Sequence, residues 1–229
     1  MQAVCRTNQE GMFAVDIYLN RTKSMRLRTS IYRLYLRSAP RLPLGRRWND
    51  RLHAQQERQR EDEWFRRCWA EGSEVHRSIE FRGQARGYLS VSVGAGAMIE
   101  RDVTIWISAD SGASPEMRIG AGAYIGRNCY LGAYQPVIIG DRVGIGAYSY
   151  IISGNHRFDR RDLPISQQGY TGAPVVIEDD AWIGTHVVVL PGVTVARGAV
   201  VGAGSVVTRN IPAWEVWGGV PATHIKTRS

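Results

Sequence analysis

An aliphatic residue recurs every six positions over much of this chain, and this period constrains the fold more than any other feature. The repeat is clearest from Ile119 to Val207, with a slip before Ile139 and a longer break before Ile177. A helix would repeat near 3.6 residues and an alternating strand near 2. Units this short bury their apolar side chains only by stacking on one another, which predicts a parallel β-helix with three short sides per coil. The repeated positions are Val93, Ile99, Ile105, Ile119, Ile125, Leu131, Ile139, Ile145, Ile151, Ile177, Ile183, Val189, Val195, Val201 and Val207.

Two other positions of the repeat carry small residues. The residue directly after the aliphatic one is often Gly, as at Gly120 and Gly146, and the residue four positions on is usually small, as at Ala123. We expect the aliphatic side chain to point into the prism and the small residue beside it to keep the interior narrow. Glycine is expected to serve the corners, where φ can be positive.

Several sequence blocks resemble, in order and spacing, the left-handed β-helix (hexapeptide-repeat) acyltransferases. Residues 174–184, Pro-Val-Val-Ile-Glu-Asp-Asp-Ala-Trp-Ile-Gly, resemble the family's P-V-x-I-G-x-x-x-W-I-G block. Pro191-Gly192-Val193-Thr194 and residues 201–208 continue it, and Gly219-Val220-Pro221-Ala222 is similar to the family's terminal G-V-P-A. The resemblance is strongest over 119–228 and implies an all-β fold, a left-handed parallel β-helix. The left hand comes from the resemblance alone, because parallel crossovers are usually right-handed.

The sequence divides into an extension, a repeat domain and a tail. The extension is basic and partly helical, with a short amphipathic helix predicted over 30–36 and a second helix from Trp48 to Trp69, ended by Gly72. The repeat domain contains a polar loop excursion over 155–173, and a second loop interrupts it from Ser108 to Met117. The predicted boundaries are 1–75 for the N-terminal extension, 76–212 for the β-helix and 213–229 for a C-terminal tail that leaves the prism.

The excess positive charge lies in the N-terminal third. Residues 1–70 hold 15 Lys and Arg against 7 Asp and Glu, which matches the net charge of +8 of the whole chain. Three interpretations are open: a solvated helical arm that packs on the β-helix or on a neighbouring subunit, contact with an anionic membrane surface or lipid-phosphate acceptor, and nucleic-acid binding. No recognised nucleic-acid motif supports the last, so no nucleic-acid partner is predicted.

The cysteine pattern and the lengths of the apolar runs predict the cellular compartment of the protein. Cys5, Cys68 and Cys129 are odd in number and lack metal-like spacing, so neither a disulfide framework nor a metal site is predicted. No apolar run reaches the length of a membrane span, and Asp16 interrupts the short apolar stretch near the N-terminus. These features predict a reducing, cytoplasmic setting.

The largest break in the repeat begins at Ser153-Gly154-Asn155-His156, and function is expected where a scaffold repeat is interrupted. In the resembled family a histidine at this junction is the general base. Imidazole can accept the proton of a sugar hydroxyl while the oxygen attacks the thioester of acetyl-CoA directly, without an acyl-enzyme. Backbone N–H groups of a neighbouring coil are expected to stabilise the oxyanion. The resemblance therefore implies His156 as the catalytic residue.

Candidate acceptor residues are Asn128, Asn155 and Trp182. Asn155 could orient the imidazole, as could Asp159 and Asp162, or these residues could serve only in turns. Trp182 could form a wall of the acceptor site or pack against the excursion.

For the acyl donor, acetyl-CoA, the resemblance implies small residues beside the pantetheine arm and basic residues at the phosphates. Thr223 stands where the family often has a second basic residue, so His224 and Arg228 are considered as substitutes. His186 is interpreted as structural. The implied acetyl-CoA residues are Thr185, Gly202, Ala203, Thr208, Arg209 and Lys226.

The leading hypothesis is an acetyl-CoA-dependent O-acetyltransferase that modifies a sugar or carrier-linked glycan. The run Ser-Gly-Asn-His-Arg-Phe at 153–158 resembles members that act in exopolysaccharide, capsule or lipopolysaccharide biosynthesis. The alternatives are a non-catalytic β-helix scaffold and a γ-type carbonic anhydrase, which needs three zinc-binding histidines on adjacent coils that the 5 histidines here do not offer. The family's packing implies a homotrimer with each active site between two prisms.

Overall fold

The computed structural model describes residues 3–7, 13–17, 43–83, 90–108 and 115–229. The chain forms two compact units, Met1–Gln56 and Glu57–Ser229. In the first unit, β1 (Ala3–Thr7) pairs antiparallel with β2 (Phe13–Ile17), where the sequence shows no clear period. The helix predicted over 30–36 and part of the loop predicted over 108–117 lie outside the described residues.

One long helix, α1 (Pro43–Ala70), precedes the repeats. It begins before the predicted Trp48 because proline is well tolerated in the first turn, where its missing N–H needs no partner. It ends at the predicted place: Gly72 has φ +80 and donates its N–H to the Trp69 carbonyl at 3.1 Å. Its C-terminal end is buried through Trp64, Phe65 and Cys68.

Three sheets form the faces of a prism, and their neighbouring strands are parallel except for β22 and β23. The first face contains β3 (Glu74–Val75), β6 (Met98–Ile99), β9 (Tyr124–Ile125), β12 (Gly144–Ile145), β17 (Trp182–Ile183), β20 (Val200–Val201), β22 (Glu215–Gly219) and β23 (Ala222–Thr227). The second contains β4 (Glu80–Gly83), β7 (Thr104–Ile107), β10 (Tyr130–Ala133), β13 (Tyr150–Ile152), β18 (Val188–Val189) and β21 (Val206–Val207). The third contains β5 (Val91–Val93), β8 (Met117–Ile119), β11 (Val137–Ile139), β16 (Val175–Ile177) and β19 (Thr194–Val195).

The interior of the prism consists of the aliphatic residues that the period of six singled out, and all of them are buried. They stack in register from coil to coil: Ile145, for example, lies between Ile125 and Ile183 on the first face. The prediction that these side chains point inward is confirmed. Each coil is stabilised by apolar contact with the coil above and the coil below, rather than within itself.

The glycine that follows the aliphatic residue has a different role from the one predicted. A Cβ at Gly120 would lie 2.4 Å from the carbonyl carbon of Gly140, and one at Gly146 would lie 2.6 Å from the Thr185 nitrogen. These glycines therefore allow adjacent coils to approach closely, and their φ is not positive. Positive φ occurs three residues after the aliphatic position instead. At the first corner, between the first and second faces, the residues with positive φ are Asp102, Asn128, Tyr148, His186 and Gly204.

This distinction predicts unequal effects for two glycine-to-alanine substitutions. We expect Gly120→Ala to lower the free energy of unfolding by about 1–3 kcal/mol, because the new methyl group meets backbone that is held in the next coil. Gly144→Ala should be neutral or slightly stabilising, since its Cβ would lie 3.5 Å from Trp182 Cδ1, an ordinary contact. Urea unfolding of both variants measures the difference, and equal losses would contradict the coil-stacking role.

The stack extends beyond the predicted domain at both ends. Val75, placed by sequence in the extension, lies in register with Ile99 and begins the first face. The tail does not leave the prism: Trp217 of β22 pairs with Val201, and β23 runs antiparallel to β22. The last coil would otherwise expose its apolar end and an unpaired strand edge, and this hairpin covers both. No helix in the described part of the chain is long and apolar enough to cross a membrane.

Candidate active site

A β-hairpin interrupts the stack at the second corner, between the second and third faces. Its strands, β14 (Gly154–His156) and β15 (Tyr170–Gly172), pair antiparallel between β13 and β16. A short 3₁₀ helix, Ile165–Gln167, lies toward the tip. The excursion predicted over 155–173 is therefore an ordered hairpin that begins at Gly154.

Ser153 anchors this hairpin to the preceding coil. Its buried Oγ accepts the backbone N–H groups of Tyr134 and Gln135 at 3.0 and 2.9 Å and lies 2.6 Å from the Gln135 carbonyl, to which it donates. Gly154 and Gly172 carry no side chain because a Cβ would lie 2.4 and 2.7 Å, respectively, from atoms of Tyr134. The sequence Ser-Gly-Asn-His thus places His156 at a defined position next to the prism.

The His156 side chain is exposed and packs on an aromatic ring. Its ring centroid lies 4.3 Å from that of Tyr170, with the planes tilted by 34°. Asn155 Oδ1 accepts the His156 backbone N–H at 2.9 Å, and Asp162 pairs with Arg160, which holds the pKa of that carboxyl below its usual value. Among the described residues, no carboxylate bonds the imidazole, so Tyr170 orients the ring by packing.

A cavity of about 330 Å³ lies between the hairpin and the second face, and we call it the aromatic slot. Tyr130 and Tyr150, on adjacent coils, stack with ring centroids 4.5 Å apart and an interplanar angle of 21°. Burial, together with the Tyr150 phenol, raises the pKa of Tyr130 to about 12, so its hydroxyl stays protonated and can donate a hydrogen bond. The slot is lined by Trp106, Tyr130, Gly132, Tyr134, Tyr150, Ile152, Gly154, Asn155, His156 and Tyr170.

In the described part of the chain, the first corner, between the first and second faces, has backbone N–H groups without partners next to small residues such as Ala147 and Ala203. At the third corner, between the third and first faces, carboxylates accept the N–H groups of Ala121, Asp141 and Arg197 at 2.7–2.9 Å. The equivalent N–H groups at the first corner belong to Ala147, Thr185 and Ala203, and no partner for them is found among the described residues. The corner therefore offers a column of donors to a bound ligand.

The other predicted acetyl-CoA residues lie around the first corner and the end of the stack. Thr185 donates its hydroxyl to the Ala147 carbonyl at 2.6 Å, and Gly202 and Ala203 occupy the next coil. The Arg209 guanidinium lies 5.5 Å from the Trp217 ring centroid. Lys226 is exposed on β23, and Thr208 is exposed before Arg209. These residues surround one end of the prism rather than one cavity.

Asn128 and Trp182 are not brought next to His156 within one chain. Asn128 occupies the first corner, and Trp182 is exposed on the first face, where its ring approaches Gly144 rather than the hairpin. His156 lies across the second face, at the second corner. His186 also lies at the first corner, stacked on Tyr148 with ring centroids 5.0 Å apart.

Cys68 and Cys129 are not suited to carry an acyl group. Cys68 and Cys129 are free and buried, and burial raises the pKa of each thiol to about 11. At neutral pH both are thiols rather than nucleophilic thiolates. Over the described part of the chain, no group of three or more His, Cys, Asp or Glu residues could hold a metal ion.

Sequence reasoning missed the aromatic slot and the serine that anchors its hairpin. Tyr130 and Tyr150 each directly precede an aliphatic residue of the repeat, and that shared position was the available signal. Ser153 and Gly172 gave no separate signal, because their roles depend on Tyr134 from the preceding coil.

Family models and related proteins agree with this architecture. The model for bacterial transferase hexapeptide (six repeats) matches residues 174–209, and that for the hexapeptide repeat of succinyl-transferase matches 136–154. WcaF of Escherichia coli, whose name places it among colanic acid biosynthesis acetyltransferases, is 33% identical over 133 residues, which cover 58% of this chain and 70% of WcaF. The chain belongs to the hexapeptide-repeat acyltransferases. This membership confirms the all-β, left-handed parallel β-helix predicted for residues of the repeat.

Other comparisons with hexapeptide-repeat acyltransferases cover less or share only the fold. Galactoside O-acetyltransferase of E. coli is 35% identical over 113 residues, 47% of this chain and 55% of that enzyme. Two further curated relatives are matched over only 37% and 47% of their own lengths. The solved structure of AntD, an N-acyltransferase from Bacillus cereus, in complex with dTDP and 3-hydroxybutyryl-CoA has a TM-score of 0.59 at 18% identity and covers 69% of this chain and 81% of AntD. That similarity shows the fold.

Proposed function

We propose that the protein is an acetyl-CoA-dependent O-acetyltransferase that acts on a sugar hydroxyl, with His156 as general base. The observation that carries this proposal is the position of His156 in the aromatic slot, where the only hairpin inserted in the described stack meets its second face. The names of WcaF and galactoside O-acetyltransferase support an acetyl donor and a saccharide acceptor.

The proposed reaction is one direct transfer. The His156 imidazole accepts the proton of the acceptor hydroxyl as its oxygen attacks the thioester carbonyl carbon. The tetrahedral intermediate then collapses, the C–S bond breaks, and the imidazolium returns the proton to the sulfur of CoA. The raised pKa values of Cys68 and Cys129 favour direct attack over a covalent intermediate on either residue.

The first corner fits the acetyl-CoA side of the reaction. In the coil of Ala203 and Gly204 this corner carries no large side chain, and a Cβ at Gly204 would meet no atom within 4 Å. The N–H groups of Thr185 and Ala203, which have no partner among the described residues, could donate to the pantetheine amide oxygens or to the oxyanion. Arg209 and Lys226, at the end of the same stack, would pair with the phosphates of CoA.

Two copies of the chain are needed to complete such a site. His156 lies at the second corner, whereas Thr185 and Ala203 lie at the first, with the second face between them. Thr208 and Arg209 follow β21, at the second corner of the last coil. A homotrimer with each site between neighbouring prisms would bring His156 of one subunit to the first corner of the next, where Asn128 and Trp182 could contact the acceptor. A role in exopolysaccharide, capsule or lipopolysaccharide biosynthesis and a cytoplasmic location belong to the same proposal, as does contact of the basic extension with a membrane surface.

Thiol release from acetyl-CoA tests the proposed function directly. The full-length protein is mixed with acetyl-CoA and a panel of glycosides, nucleotide sugars and bacterial polysaccharide repeat units, and free CoA is measured by colour. We expect release that depends on the acceptor and a product heavier by one acetyl group in mass spectrometry. Binding of acetyl-CoA without CoA release in the presence of any acceptor would instead favour a non-catalytic scaffold. An N-acetylated amino sugar as the product would show that the enzyme transfers the acetyl group to nitrogen and not to oxygen.

A further inference from the structure

We propose that the aromatic slot is the acceptor subsite and that it holds one uncharged pyranose ring, admitted by the missing side chain of Gly132. The inference rests on the proposed acetyl transfer, because it assigns the place of the acceptor beside His156. It adds a specificity-determining position that neither the repeat pattern nor the resemblance to the family singled out.

Gly132 is unlike the glycines that permit coil stacking. A Cβ at Gly132 would meet only side-chain atoms, Tyr130 Cε1 at 3.0 Å and Ile152 Cγ2 at 3.2 Å, and no backbone atom is among its nearest neighbours. Its φ is not positive, so its backbone conformation is open to other residues. Neither a positive φ nor coil stacking requires glycine here. The missing side chain lets the Tyr130 ring and the Ile152 methyl group lie close over this backbone, which keeps the space of the slot open beside them.

The register of the second face shows where that space lies. Gly132 stands directly between Trp106 on the preceding coil and Ile152 on the following one. The stacked rings of Tyr130 and Tyr150 lie beside this space, two residues before Gly132 and Ile152 on the same strands. The hairpin closes the remaining side, so a ring placed over Gly132 has aromatic and aliphatic walls and His156 in the same cavity.

The chemistry of the lining selects the occupant. A pyranose ring has apolar C–H faces and a rim of hydroxyl groups, which matches aromatic walls that carry hydroxyl groups at their edges. The protonated phenol of Tyr130 can donate to a sugar oxygen. None of the described residues that line the slot is Asp, Glu, Lys or Arg, so none of them would neutralise a phosphate or a uronic carboxylate. A neutral hexose therefore fits, and any charged carrier must extend outside.

Saturation-transfer NMR on the full-length protein tests the subsite, with methyl glycosides of glucose, galactose, mannose and N-acetylglucosamine as probes. We expect transfer to the ring C–H protons of at least one glycoside. Gly132→Ala adds a methyl group that would displace the Tyr130 and Ile152 side chains toward the slot. It should lower affinity for that glycoside about tenfold or more, and Gly132→Val should abolish binding. Ser92→Val, which adds a β-branched side chain at an exposed position of the third face, is the matched control and should retain binding.

The outcomes separate this inference from the proposed function. Glycoside binding by wild type, with loss in the Gly132 variants and retention in Ser92→Val, supports the subsite even if wild type transfers no acetyl group, in which case only the transferase proposal fails. If wild type transfers acetyl groups and folded Gly132→Val has the same KM for the acceptor, the subsite proposal is wrong. The transferase proposal is then unaffected. Absence of binding by wild type to every glycoside also overturns the subsite proposal. Melting temperatures of the variants show that loss of binding is not loss of folding.

Discussion

Replacement of His156 by alanine is expected to lower kcat about 10²–10⁴-fold, the usual contribution of a positioned general base. The KM for acetyl-CoA should change little, because residues other than His156 are proposed to contact its pantetheine arm and its phosphates. Steady-state rates of CoA release, with acceptor and acetyl-CoA concentrations varied in turn, provide the measurement.

A second histidine provides the control for this experiment. His76 is exposed on the first coil, with its Nδ1 2.9 Å from Ser78 Oγ, and it does not line the aromatic slot. His76→Ala should keep the wild-type rate. Full activity in His156→Ala, with the same melting temperature as wild type, would remove His156 from the catalytic role.

The largest loss of stability is expected from truncation of an interior residue in the middle of the stack. Ile145 is fully buried and contacts the coils on both sides through its register with Ile125 and Ile183. Ile145→Ala should lower the free energy of unfolding by about 2–5 kcal/mol, since it removes buried methylene groups and leaves a cavity that the rigid coils cannot close. Denaturant unfolding of the full chain measures this loss.

The same substitution on the hairpin is the matched control. Ile165 is 54% exposed in the short 3₁₀ helix of the hairpin. Ile165→Ala should change the free energy of unfolding by no more than about 0.5 kcal/mol. A similar small effect for Ile145→Ala would mean that the coils adjust to one another more freely than a close-packed interior allows.

Sequence reasoning succeeded where a residue's role depends on its own place in the repeat. Ile125, Ile145 and Ile183 are interior residues because the period of six requires an inward side chain on each short strand. It failed where a role depends on the next coil. The repeat predicts a corner conformation for the glycine after each aliphatic residue, but Gly120 is needed for the close approach of Gly140. The sequence predicts that Trp217 lies in a departing tail, because the single strand pair that closes the stack does not repeat.

By itself the sequence determined the stacked prism, its interior and the point at which a histidine interrupts it, because all of these follow from a local period and from its largest break. Only the tertiary structure decided which outward-facing side chains meet. Contacts between adjacent coils join residues at several different separations, for example 18, 20 and 38 positions, since the loops and the hairpin lengthen some coils and not others. Backbone pairing between coils sets that register, and it is this pairing that brings Trp106, Gly132 and Ile152 side by side next to His156.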